Sequence, residues 1–147
     1  MALRDRLAAL KLIDRIKQHE METIGADLAE RRATEKDLSD QSVKLHADAV
    51  REAADSTEDT RIFLPAYLNS VKLRQEDLAE RQAAAAEKTA AIEEELFKAF
   101  RGAKTTEQVL QRVKTEVATE EARATASQMD DAGRALFMLA RSGKLSQ

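Results

Sequence analysis

The sequence predicts an all-α protein: two long helices forming an antiparallel coiled-coil hairpin, the second helix overhanging at the C-terminal end. Three observations lead there. Ala, Glu, Lys, Leu and Arg dominate the 147 residues, with 35% charged and only 3% aromatic, a balance typical of long helices rather than of a globular core. The single proline, Pro65, sits between Phe63 and Tyr67 in "RIFLPAYLNS". On both sides of it, apolar residues recur at alternating steps of four and three, the 3.5-residue spacing of a coiled-coil seam.

The first helix is expected over about 3–56. Its seam runs Leu3, Leu7, Leu10, Asp14, Lys17, Met21, Ile24, Leu28, Arg31, Glu35, Leu38, Ser42, Leu45, Ala49. Asp14, Lys17, Arg31, Glu35 and Ser42 interrupt it, so this helix needs a partner to stay folded. Gly25 lies inside it, at a cost of roughly 1 kcal/mol relative to Ala.

The turn is expected at about 57–62. Periodicity fades at "REAADSTEDTR", where Ser, Thr and Asp cluster, and these residues favour turns and helix caps. Proline is tolerated in a first helical turn, where its missing N–H has no intrahelical partner. The second helix should therefore begin near 61–64, with Asp59 or Thr60 as its N-cap.

The second helix is expected over 63–140, followed by a flexible tail at 141–147. Its seam runs Leu64, Leu68, Val71, Gln75, Leu78, Gln82, Ala85, Thr89, Ile92, Leu96, Ala99, Ala103, Thr106, Leu110, Val113, Val117, Glu120, Ala124. The middle, "AERQAAAAEKTAA", offers mainly alanine, which lets helices approach closely but buries little area. Gly102 and "KTTEQ" allow a bend or a capping box at Thr105 or Thr106, but the repeat keeps its phase, so a continuous helix is expected.

Two amphipathic helices joined by a short turn bury their seams by packing antiparallel. At 1.5 Å per residue they would span roughly 80 and 120 Å. The whole chain, 1–147, reads as one elongated hairpin. Folding back from a turn near Asp59 brings Leu3 beside Thr115 and leaves the remainder of the second helix without an intrachain partner. That overhang ends in "ALFMLA", with Leu136, Phe137, Met138 and Leu139 clustered.

No chemistry of an enzyme is legible, and none is expected. His19 and His46 lie ~40 Å apart on one helix. The carboxylates have no concave setting in which to acquire raised pKa values. There is no Gly-rich phosphate loop and no Ser/His/Asp constellation. No cofactor or metal is expected. The absence of cysteine fits a reducing compartment. The net charge of −3 argues against nucleic-acid binding, and the charge-dotted N-terminus does not read as a signal peptide. With no apolar run near ~20 residues, a soluble cytoplasmic chain without membrane insertion, monomeric alone, is expected.

What remains is a set of contact candidates. Phe97 and Phe100 fill the seam or meet a partner. Phe63 and Tyr67 brace the turn or anchor a partner there. The Leu136–Leu139 cluster needs a cover. Charge is uneven: Met21 to Thr60 carries eleven acidic and five basic residues, Met1 to Glu20 five basic and three acidic, and Arg134 to Gln147 three basic and none acidic. An acidic turn half opposes a mildly basic end, compatible with different partners at the two poles.

Three segments, "LAALKLIDRIKQHEMETIGADLAE", "FLPAYLNSVKLRQEDLAERQ" and "FKAFRGAKTTEQVLQR", together with the hairpin layout and chain length, resemble the flagellar type III export stalk protein family, FliJ, and more distantly the YscO-like proteins of injectisomes. Phe100, Arg101 and Lys104 are similar to an aromatic-Arg-x-x-Lys element of that family, with Gly102 and Ala103 where charged residues are commoner. The resemblance implies a non-enzymatic stalk or adaptor of the export apparatus, cytoplasmic and peripherally associated with the inner membrane. It would promote assembly and activity of the hexameric flagellar export ATPase, couple it to the cytoplasmic domain of the export-gate membrane protein, and bind export chaperones. It implies a gate-binding strip at Tyr67, Leu68, Val71, Gln75, Leu78 and Gln82. It also implies a paired-terminus end seated in the ATPase ring, here Leu3, Leu7, Leu136, Phe137, Met138 and Leu139. The competing expectation is a generic coiled-coil scaffold or export chaperone without effect on an ATPase.

Overall fold

The structure, a computed structural model, describes residues 2–145. Two helices, α1 (Leu3–Asp55) and α2 (Leu64–Leu145), are joined through residues 56–60 and a single 3-10 turn, Arg61–Phe63. They pack against each other as an antiparallel hairpin, with no strand among the described residues. The chain forms two compact units: a turn unit, His19–Phe100, and a terminal unit in which Met1–Gln18 joins Arg101–Gln147.

In the turn unit the core is a single seam. Leu28, Leu38 and Ala49 of α1 are buried, as are Val71, Leu78, Thr89 and Ile92 of α2. All lie on the 3.5-residue repeat, because only that stripe of each helix faces the other. Thr89 is buried without penalty, its hydroxyl donating to the Ala85 carbonyl at 3.0 Å. Ser42 and Gln75 close a reciprocal pair across the seam. The Ser42 hydroxyl donates to Gln75 Oε1 at 2.8 Å, and Gln75 Nε2 donates to the Ser42 carbonyl at 3.0 Å. Arg32 reaches Glu93 at 3.1 Å on the rim, where an exposed ion pair contributes ~0–1 kcal/mol.

The connection is built from hydroxyls and backbone. Ser56 donates to the Ala53 carbonyl at 3.0 Å, closing the last turn of α1. The Thr57 N–H donates to Thr60 Oγ1 at 2.8 Å, and the N–H groups of Thr60 and Arg61 return to the Thr57 carbonyl at 3.1 and 2.9 Å. The Thr60 side chain thus faces back into the turn and makes no cap hydrogen bond to the following helix. The Leu64 N–H donates to the Arg61 carbonyl, and Pro65 is the second residue of α2, where no N–H is required.

In the terminal unit, Ala103, Leu110, Val113 and Val117 of α2 are buried, Val113 most fully at 2% exposure. Leu3, Leu7, Leu10, Asp14 and Lys17 of α1 are half-buried. Helix α2 is unbroken through Gly102 and "KTTEQ". Thr105 and Thr106 donate to the carbonyls four residues back, Arg101 and Gly102, at 3.0 and 3.1 Å. Their hydroxyls satisfy themselves within the helix instead of capping a new one.

Three boundaries differ from expectation. Leu68 is exposed and Tyr67 is half-buried in its place. Leu64 and Val71 on either side keep their expected places, so the exchange is confined to the first turns of α2. Leu3 lies in a groove with Thr115, Glu116, Thr119 and Glu120, and Arg4 pairs with Glu121 at 2.9 Å, so pairing extends somewhat past Thr115. Helix α2 continues to Leu145, past the expected end at 140; positions 146 and 147 of the expected tail lie outside the described residues.

The seam sets two stability expectations. Leu110→Ala, at a side chain 5% exposed, should cost about 2–4 kcal/mol in urea unfolding, whereas Leu136→Ala, 68% exposed, should stay within about 0.5 kcal/mol. One carboxylate oxygen of Asp14 is buried on the α1 seam without a hydrogen-bond partner. Asp14→Leu should therefore raise the urea midpoint, by about 1 kcal/mol of stability.

Candidate functional site

The site expected at the start of α2 is partly used up by the hairpin itself. Val71 and Leu78 are buried, Gln75 is bonded to Ser42, and Tyr67 and Gln82 are half-buried. Of the six, only Leu68 is exposed, at 40%. They do not form one open strip, because a 3.5-residue spacing on α2 is the spacing that faces α1.

The exposed apolar surface of this region lies to one side. Ile62, Phe63 and Leu73 are open to solvent. Phe63 also lines a shallow groove with Glu52, Asp55, Ser56, Thr60, Leu64 and Tyr67. One wall is therefore acidic and the other aromatic, a combination suited to a partner with an apolar ridge flanked by basic side chains. Tyr67 is half-buried in this groove while Phe63 remains 71% exposed.

The terminal candidates also separate. Leu3 and Leu7 are half-buried against α2, with Leu3 beside Thr115–Thr119. Leu136, Phe137, Met138 and Leu139 are 66–69% exposed on a stretch where every described residue from Ala118 to Gly143 is exposed. At 1.5 Å per residue, Leu136 lies ~25 Å along α2 from Thr119. The two sets are thus two surfaces, one covered and one open. Within the open one, Phe137 and Met138 form a small facet with Gly133 and Arg134.

Sequence reading missed one further patch, Leu12, Ile13 and Ile16 of α1, all exposed. Their signal was present as apolar residues off the repeat. Phe97 and Phe100 are likewise about half exposed, on the flank of α2 rather than in its seam.

Among the described residues no group of three His, Cys, Asp or Glu side chains converges as metal ligands. Among the described residues no helix is long and apolar enough to cross a membrane. Comparisons with protein-family models, curated proteins and solved structures return no match to this chain.

The Ser42–Gln75 pair gives a test of how the turn unit keeps its register. Gln75→Ala leaves the Ser42 hydroxyl without its cross-seam partner and should cost about 1–2 kcal/mol. Ser42→Ala with Gln75→Leu removes both polar groups and should recover most of that loss, as read in a double-mutant cycle by urea unfolding.

Proposed function

We propose that the chain is a non-enzymatic stalk or adaptor of the flagellar type III export apparatus. It promotes assembly and activity of the hexameric export ATPase and couples that ring to the membrane export gate from the cytoplasmic side. The observation that carries this reading is the exposed Leu136–Leu139 cluster on a helix that outruns its intrachain partner. Four adjacent large apolar side chains left open on a charged helix are a docking end, since a monomer gains nothing from displaying them. The hairpin layout and the three resembling segments support the same reading.

On this view the C-terminal end of α2 seats in the ATPase ring, with Arg134 and Arg141 flanking the apolar cluster. The gate meets the turn-side surface, where Leu68 is joined by Ile62, Phe63 and Leu73 in place of the buried Val71 and Leu78. Export chaperones are further partners of the same class of surface. The acidic groove beside Phe63 and the acid-free stretch from Arg134 onward give the two ends different electrostatic partners.

The test is to add the purified chain to the export ATPase and record ATP hydrolysis and ring formation together. The intact chain should stimulate hydrolysis several-fold and favour rings, and a chain ending at Gly133 should do neither. Phe137→Asp should lower stimulation by about tenfold in half-maximal concentration, equivalent to ~1.4 kcal/mol. An intact chain that changes neither readout would leave a scaffold or chaperone without ATPase effect as the better description.

A further inference from the structure

The apolar residues of the exposed stretch do not continue the hairpin seam. Extended from Val117, that seam meets Glu120, Ala124, Ser127, Asp131, Arg134 and Met138, and its apolar character is lost. A different stripe keeps the spacing of four and three: Ala122, Thr125, Met129, Ala132, Leu136 and Leu139. It is displaced by two residues, about 155° around the helix from the hairpin seam. All six are exposed, and their spacing is that of a coiled-coil seam aimed at another helix.

The order of sizes along this stripe says what that helix is. Small residues come first and large ones last. Laid antiparallel on a second copy about a centre between Asp130 and Asp131, every layer matches: Ala122 meets Leu139, Thr125 meets Leu136, and Met129 meets Ala132. Each large side chain faces a small one, so the interaxial distance stays constant within the ~8–10 Å range of packed helices. A parallel pair would set Ala122 on Ala122 and Leu136 on Leu136, tight at one end and wide at the other. Charge favours the same orientation. Ala118 to Asp131 holds Glu120, Glu121, Asp130 and Asp131 against Arg123, whereas Ala132 to Gln147 holds Arg134, Arg141 and Lys144 and no acid. Antiparallel pairing lays the acidic half over the basic half. Most of these groups sit on outer faces, so they act over about a Debye length and set orientation more than affinity.

We infer that the exposed end of α2 is a homodimerisation element that pairs antiparallel with a second copy of this chain through Ala122, Thr125, Met129, Ala132, Leu136 and Leu139. The layers are small and the interface lies near the low end of specific contacts, ~1,200 Å². Half-association is expected near ~50 μM. Phe137 and Met138 lie outside the pairing stripe, about 100° and 200° round the helix from Leu136. The dimer covers Leu136 and Leu139, so self-pairing and docking of this end elsewhere exclude one another. The inference does not rest on the export reading.

The chain lacks cysteine, so Ser142→Cys provides a single attachment point for a nitroxide label. Sedimentation from ~5 to ~500 μM should show passage from monomer to dimer around the expected ~50 μM. Spin–spin distance measurement on the concentrated protein should give ~35 Å, the offset of 23 residues that antiparallel pairing imposes. Leu136→Glu should abolish the dimer and Phe137→Glu should retain it. A monomer throughout the range, a separation of ~10–15 Å as in a parallel pair, or a dimer lost in Phe137→Glu but kept in Leu136→Glu overturns the inference. A chain that stimulates the ATPase yet stays monomeric overturns this inference alone. One that dimerises as described without stimulating overturns only the stalk reading.

Discussion

Everything in this molecule depends on one narrow apolar contact, the seam where a 3.5-residue stripe of α1 meets the matching stripe of α2. Ala, Leu, Arg, Lys and Glu each favour helix, but most helical stability in a protein comes from packing an apolar face. The seam supplies that packing, with one interior layer every three or four residues and no second shell behind it. Val43 and Val50, one position off the stripe, are already exposed, and so is Leu73, two positions off it. The polar members of the seam are accommodated individually: Thr89 bonds its own helix, Ser42 and Gln75 bond each other, and Asp14 keeps a buried oxygen without a partner.

The same constraint decides which surfaces remain for partners. A position that packs α2 onto α1 cannot also be presented to another protein. This removes Val71 and Leu78 from the turn-side candidates and leaves Ile62, Phe63, Leu68 and Leu73. It covers Leu3 and Leu7 while leaving Leu136 to Leu139 open. The exposed apolar side chains therefore lie where α2 is off the repeat or beyond its contact with α1.

The repeat made most of the fold legible before any coordinate. Every buried residue lies on a position reached by alternating steps of four and three, because that periodicity is the physical cause of burial in a two-helix contact. The break around Pro65 was equally plain. What the repeat did not give was the first turns of α2, where Tyr67 rather than Leu68 is half-buried between Leu64 and Val71, both of them on the expected stripe. The docking candidates were less legible for a different reason. Spacing marks a residue as facing something but not whether the partner is α1, so a strip carried over by resemblance coincided with the intrachain seam.

The alanine-rich middle of α2 has a consequence for where the turn unit is most fragile. Between Leu78 and Ile92 the seam of α2 offers Gln82, Ala85 and Thr89, none of them large and apolar, while α1 brings Leu38 beside Ala84 and Ala85. Cohesion there is lopsided, with α1 supplying the bulk and α2 the smooth track on which it rests. Thermal breathing should nucleate in this stretch and spread outward, since opening it forfeits the least buried area. Evolutionary drift would be unequal too. The track tolerates exchange among small side chains, whereas trimming Leu38 would loosen the middle of the turn unit.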